Sequence, residues 1–241
     1  MINFGIIGIG NIAHRVAKGI LCSKKANLYA VASRNKDNAE QFQKQYGAEK
    51  AYGSYKELLE DAAVDAVYIC TPNSLHYEQI QLCLSYGKHV VCEKPMVANS
   101  EQVKELFAQA RKVGCFLMEA EKTMFTPLNV KLKEMIERGV IGKLCAIRAE
   151  YSYQVLEEVD KDHWVLDKNM GGSAYDIGVY PISFSHYFAN SKIENLIVKR
   201  VDHPEYECDF GMQADICYEN GVYGFLQSNW FYTPKHKGSA I

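Results

Sequence analysis

Gly8-Ile9-Gly10-Asn11-Ile12-Ala13 stands between the apolar run 4–7 and a stretch in which Ile12, Val16, Ile20 and Leu21 recur at helical spacing. Short glycine patterns occur by chance, but one set between a strand and a helix is the turn by which a βαβ unit takes up a nucleotide. Gly8 and Gly10 permit a tight turn and a close backbone approach to a pyrophosphate. That anion then meets the unpaired N–H groups and positive dipole end of the helix that follows. Ala13 is the small residue in place of a third glycine. The reading assigns Gly8, Gly10, Asn11 and Ile12 to cofactor contact.

Further apolar runs at 28–32, 66–70, 89–92 and 116–118 alternate with amphipathic stretches, a rhythm that predicts parallel strands joined by helical crossovers. The runs are apolar throughout rather than at every second residue, as strands are when helices cover both sheet faces. The expected fold class is α/β, with a doubly wound sheet of Rossmann type over residues 1–120. Beyond about Ala120 the rhythm changes. A helix is predicted over 128–138, a turn over 139–142, and long strands over 144–153, 196–201, 212–218 and 222–230. Glu219-Asn220-Gly221 marks a hairpin between the last two. Residues 121–241 are expected to form an α+β domain with a largely antiparallel open sheet and helices on one face.

The 241 residues carry 27 basic and 29 acidic side chains, well mixed, for a formal net charge of -2. Such a chain lacks the cationic surface that nucleic acids demand. No apolar run approaches membrane-span length, and the N-terminus enters strand residues without a basic leader and apolar core, so a soluble, cytoplasmic protein is expected. The eight cysteines are scattered singly and form no CxxC pair, which predicts reduced thiols packed as small hydrophobes and no metal.

Three polar turns follow the predicted strands of the first half. The second strand ends in Ala32-Ser33-Arg34-Asn35 without the acidic residue that binds ribose hydroxyls in an NAD(H) site. Arg34 offers a planar donor fork for a 2′-phosphate, and Ser33 an extra donor, so NADP(H) is favoured over NAD(H). Thr71-Pro72-Asn73-Ser74-Leu75-His76 lies past the run 66–70, where parallel sheets bind ligands. Thr71, Pro72 and Asn73 are assigned to the cofactor and His76 to its vicinity, although Asn73 or Ser74 would serve equally as a cap for the next helix. Glu93-Lys94-Pro95 occupies the same position after 88–92.

Taken in order, the glycine turn, Cys70-Thr71-Pro72-Asn73 with His76, Glu93-Lys94-Pro95 and Tyr175-Asp176-Ile177-Gly178-Val179-Tyr180-Pro181 resemble the glucose-fructose oxidoreductase/inositol dehydrogenase family. The resemblance covers essentially the whole chain. Met118-Glu119-Ala120 and Tyr180 look like the branch of dimeric dihydrodiol dehydrogenases and related sugar dehydrogenases. It implies a Rossmann domain, a C-terminal α/β domain whose open sheet forms dimers or tetramers, and hydride transfer at a carbinol carbon. Two departures stand out. Lys122-Thr123-Met124-Phe125 replaces a Trp-x-Arg-Phe segment, losing an indole and a guanidinium. The chain also stops at Gly238-Ser239-Ala240-Ile241, after a strand and a charged turn, where family members continue, which leaves a native end and a truncation as the two expectations.

Oxidising an alcohol requires a proton to leave oxygen as hydride leaves carbon. A phenol near pKa 10 is a poor base at neutral pH unless an ammonium favours its ionised form. Tyr180 is therefore read as acid/base and Lys94 as its electrostatic partner, in contact with cofactor and substrate as well. Asp176 and Tyr180 are four apart in a segment, 173–188, that reads as helical, which places both on one face. Asp176 would hold a substrate hydroxyl or keep Lys94 protonated; alternatively Ser173-x-x-Asp176 is a capping box. Trp164 is expected near the substrate, with packing as the alternative. The substrate class is a sugar, polyol or trans-diol. The rival expectations are a cofactor- or sugar-sensing regulator without turnover, and cofactor-assisted glycoside cleavage.

Overall fold

The computed structural model describes residues 1–233 and 238–240, so the charged turn expected over 234–237 lies outside the described residues. The chain divides into two compact units, Met1–Ala120 and Glu121–Ile241.

The first unit contains six strands: β1 (Ile2–Ile7), β2 (Ala26–Ala32), β3 (Lys50–Tyr52), β4 (Ala66–Ile69), β5 (His89–Cys92) and β6 (Leu117–Glu119). They form one parallel sheet in the order β3-β2-β1-β4-β5-β6. Its crossovers carry α1 (Asn11–Leu21), α2 (Lys36–Tyr46), α3 (Tyr55–Glu60), α4 (His76–Ser85) and α5 (Ser100–Val113). Neighbouring residues of one strand enter different cores. Ile6 packs with Ala13, Ala17 and Leu28, whereas Ile7 packs with Leu58, Ile69 and Ile80. A strand between two helical layers has no polar face, which is why its sequence does not alternate. The order reverses at β1 and β4, and in open α/β sheets ligands bind outside the carboxyl ends at that point. Of these six strands only β3 is absent from the sequence reading. It has three residues, begins with an exposed lysine and has no apolar pattern to announce it.

The second unit begins with α6 (Pro127–Glu137), capped by the Thr126 side chain on Asn129 N–H. It continues through β7 (Ala146–Ser152), α7 (Val179–Ala189), β8 (Ile193–His203), β9 (Tyr206–Tyr218), β10 (Tyr223–Asn229) and β11 (Gly238–Ala240). The sheet order is β11-β7-β10-β9-β8. β9 and β10 form the expected hairpin, with Gly221 at φ +82° in its turn, a conformation that favours glycine. β10 runs parallel to β7, so the sheet is mixed although largely antiparallel. α7 packs across β7 and β10, and Ile147, Ala149, Phe188, Ala214, Ile216 and Leu226 fill the core beneath it. On the opposite face Ile197, Tyr223 and Phe225 are exposed.

Candidate functional site

In the first unit, β1 delivers Gly8 to the edge of the sheet at φ +80°. A Cβ there would lie 2.6 Å from Thr71 Cγ2 and 2.9 Å from the Thr71 backbone nitrogen, so the turn after β1 and the turn after β4 touch through a glycine alone. Gly10 is different. A Cβ on it would meet no atom within 4 Å, which leaves open space above the first turn of α1. Gly10 is the N-cap of α1, makes no side-chain cap and is followed by no acidic residue in the first turn. α2, α3, α5 and α6 are all capped by Asn, Ser or Thr side chains. The Asn11 and Ile12 N–H groups are thus among the helix donors left for an external acceptor, beside a backbone that can be approached closely. This cradle fits a pyrophosphate.

Ser33 and Arg34 follow β2 at the same sheet edge. Ser33 Oγ accepts from Asn35 N–H at 3.3 Å. Arg34 is exposed, near enough to Tyr55 for its charge to act against burial, which on balance raises the Tyr55 phenol.

The loops after β4 and β5 are tied together by His76. The ring is buried, and each nitrogen lies 2.9 Å from a carbonyl oxygen, Nδ1 from Pro95 and Nε2 from Thr71. A neutral ring donates to one of these and an imidazolium to both, but burial outweighs the two carbonyls and holds the pKa below 6.5. His76 therefore stands behind the Thr71-Pro72-Asn73 turn, holding it to the loop of Lys94. The cap expected from Asn73 or Ser74 does not form. Asn73 is buried and opens a 3-10 turn, Asn73–Leu75, and α4 starts without a side-chain cap. Thr71 Oγ1 instead donates to Gln79 Oε1 at 2.5 Å.

The Lys94 loop has two further anchors. Glu93 Oε1 accepts from Tyr68 Oη at 2.9 Å, and Glu119 Oε1 accepts from Met96 N–H at 2.7 Å. Lys94 itself is half-buried and precedes a cis peptide bond to Pro95. Neither Tyr68 nor Glu119 was given a site role in the sequence, Tyr68 because it lies in a run that reads as core and Glu119 because only the fold brings it to Met96 N–H. The buried neutral His76 makes stability depend on pH. An unfolded His binds its proton near pH 6.5 and the folded ring below that, so stability is fully present above 6.5 and is lost as the pH falls. Urea melts across a pH series should show this acid loss in the wild type. His76→Gln should lower stability by about 1–3 kcal/mol at neutral pH and flatten the acid dependence.

In the second unit, the segment carrying Asp176 departs from the expected helix. Ala174–Gly178 is a π-helical turn, and the α-helix begins only at Val179. The simple four-residue face argument is thus replaced by a turn of wider pitch at Asp176, a feature that recurs at functional sites. The capping box is absent as well. Ser173 makes no cap; its Oγ donates to Ser228 Oγ at 2.8 Å. The turn is capped from β9, where Asp209 Oδ2 accepts from Ala174 N–H at 3.0 Å. Asp176 Oδ2 accepts from Tyr153 Oη at 2.7 Å, which leaves that phenol raised well above its ordinary range by burial and by the adjacent carboxylate.

Tyr180 is half-buried at the start of α7, with the Tyr151 ring 5.3 Å away and the Lys122 ammonium 5.0 Å from its ring centroid. Trp164 lies on a 3-10 turn, Trp164–Leu166, and is 42% exposed beside His163, while Val165 and Leu166 fill the core. Its ring is therefore not the packed one; the buried tryptophan of this unit is Trp230.

Residues 2–121 match the oxidoreductase family with NAD-binding Rossmann fold, GFO_IDH_MocA, and residues 129–240 match the GFO/IDH/MocA C-terminal domain. The chain belongs to this family. It is similar to the trans-1,2-dihydrobenzene-1,2-diol dehydrogenase of Mus musculus, 35% identical over 226 residues, covering 92% of this chain and 67% of that protein. The protein of the same name from Homo sapiens is 34% identical over 203 residues, covering 82% of this chain and 59% of its own. Among solved structures, the 3-ketoreductase KijD10 of Actinomadura kijaniata, in complex with NADP and TDP-benzene, superposes with a TM-score of 0.86. It is 30% identical, covering 96% of this chain and 71% of that one. The family is thus one of oxidoreductases with an NAD-binding Rossmann fold, and Gly8 and Gly10 lie within the residues matched to that fold. Among the described residues no group of metal-ligating side chains is found, and no helix is long and apolar enough to cross a membrane.

Proposed function

We propose that the chain is an NADP(H)-dependent oxidoreductase acting on a carbinol carbon of a sugar, polyol or trans-diol, with NAD(H) as the weaker cofactor. The observation that carries this reading is the glycine cradle on an uncapped helix, in a chain that belongs to an oxidoreductase family. The names of the similar proteins, a diol dehydrogenase and a ketoreductase with NADP bound, support the substrate and cofactor class.

In the proposed roles, Gly8, Gly10, Asn11 and Ile12 receive the pyrophosphate, Ser33 and Arg34 the 2′-phosphate, and Thr71, Pro72, Asn73 and Glu93 shape the remaining wall. His76 sets that wall from behind. The bound nicotinamide supplies or takes up the hydride. Tyr180 accepts the hydroxyl proton during oxidation and returns it during reduction, Lys94 favours its ionised form, and Asp176, oriented by Tyr153, holds a substrate hydroxyl. The exposed sheet face with Ile197, Tyr223 and Phe225 supports assembly into a homodimer or homotetramer.

The test is a cofactor-absorbance assay of the purified protein with a panel of sugars, polyols and trans-diols. Turnover with NADP(H) over NAD(H) is expected, and Arg34→Ala should cut the NADP(H) preference by about tenfold to a hundredfold, the value of a charge-assisted contact. Tight cofactor binding without turnover on any substrate would replace the enzyme by a sensing protein of the same fold.

A further inference from the structure

The segment that in the sequence reads only as the loss of an indole and a guanidinium places a cation on the face of Tyr180. Lys122 opens the 3-10 turn Lys122–Phe125, which packs against α7, and its Nζ stands 5.0 Å from the Tyr180 ring centroid. The ammonium makes no ion pair among the described residues. Its neighbour Glu121 is buried and accepts from Thr123 N–H through Oε1 at 2.8 Å, closing the turn.

We propose that Lys122 is a positioning residue that holds the Tyr180 ring by its charge and favours the phenolate over the phenol. This rests on the reading of Tyr180 as acid/base and adds a second cation to it. A cation over an aromatic face is attracted by the ring's electron density, and the attraction grows once the ring carries a full negative charge.

Lys94 is the first cation of that reading; the other groups that the second unit packs around Tyr180 supply no further one. β7 contributes the Tyr151 ring, and the π-helical turn contributes Asp176, already in contact with Tyr153 Oη. β9 brings Tyr206 and Cys208 into the same apolar cluster, the thiol held above its ordinary value by burial. The buried positions of β10, Gly224, Leu226 and Ser228, carry no titratable group. α6 reaches α7 further along, where Lys133 Nζ donates to the Tyr187 carbonyl. Within this unit Lys122 is the cation that favours the charged ring.

Two readouts test the proposal. The ionisation midpoint of Tyr180 is taken from tyrosinate absorbance, as the difference between each protein and the same protein carrying Tyr180→Phe. The acid limb of the pH profile of kcat/KM is followed in parallel. For an exposed ammonium at this distance, Lys122→Gln should shift the midpoint and the limb upward by about half a unit, a threefold loss of rate below the limb with the plateau kept. Lys122→Arg should restore both, and Lys122→Glu should double the shift. Identical midpoints in wild type and Lys122→Gln would overturn the proposal. Retained turnover in Tyr180→Phe would instead overturn the acid/base reading, and the absorbance titration would still decide whether Lys122 acts on the ring.

Discussion

Tyr180→Phe is expected to lower kcat/KM by about 10²–10⁴-fold, the range that a positioned acid or base contributes. The substitution removes one oxygen from a half-buried ring and leaves its packing against Tyr151 and under Lys122 in place. Cofactor affinity, measured by fluorescence quenching or calorimetry, should stay within about twofold, because the residues proposed to hold the cofactor belong to the first unit. A loss of this size with intact cofactor binding separates a chemical role from a folding defect. An unchanged rate would remove Tyr180 from the reaction.

Gly8→Ala should weaken cofactor binding and destabilise the first unit together. At φ +80° a side chain is strained by about 1–3 kcal/mol whatever surrounds it. Here the added carbon would also lie 2.9 Å from the Thr71 backbone nitrogen, and that backbone is tied to His76. The β1 and β4 turns must part, which moves the Asn11 and Ile12 N–H groups away from the anion. The expected outcome is a cofactor Kd raised more than about tenfold, with a urea midpoint lowered in step. Gly10→Ala is the companion measurement. A Cβ there meets no protein atom, so it should bind cofactor poorly while keeping wild-type stability, because the space it enters belongs to the ligand.

Much of the fold was legible because its signals are local. The unbroken apolar strands announced a sheet covered on both sides, and Ile6 and Ile7 entering opposite cores is the packing that this pattern requires. Asn220-Gly221 placed a hairpin for the same reason, since the turn chemistry is contained in the residues that make it. β3 escaped because three residues are too few for a period, and the parallel pairing of β10 with β7 because strand direction is set by a crossover, not by composition.

The candidate site divides in the same way. Gly8, Gly10 and Lys94 could be picked out because glycine freedom and an amine placed just after a strand are properties of the residues themselves. The partners that orient the site could not. Glu119 on Met96 N–H, His76 between two loops, Asp209 capping the turn of Asp176, Tyr153 on its carboxylate and Lys122 over Tyr180 all join positions far apart in the chain. The capping box at Ser173 failed on this account: the serine found Ser228 and the aspartate found Tyr153, and contacts made through the fold displaced the local one.

The amino-acid order alone thus determined that this chain builds a nucleotide-binding α/β sheet followed by a largely antiparallel one, because period, glycine placement and strand composition act over a few residues. Tertiary structure decided which side chains meet, and so what His76, Asp176 and Lys122 touch. Hydrogen bonds and charge contacts at 3 to 5 Å depend on how distant segments are brought together, and no local pattern encodes that distance.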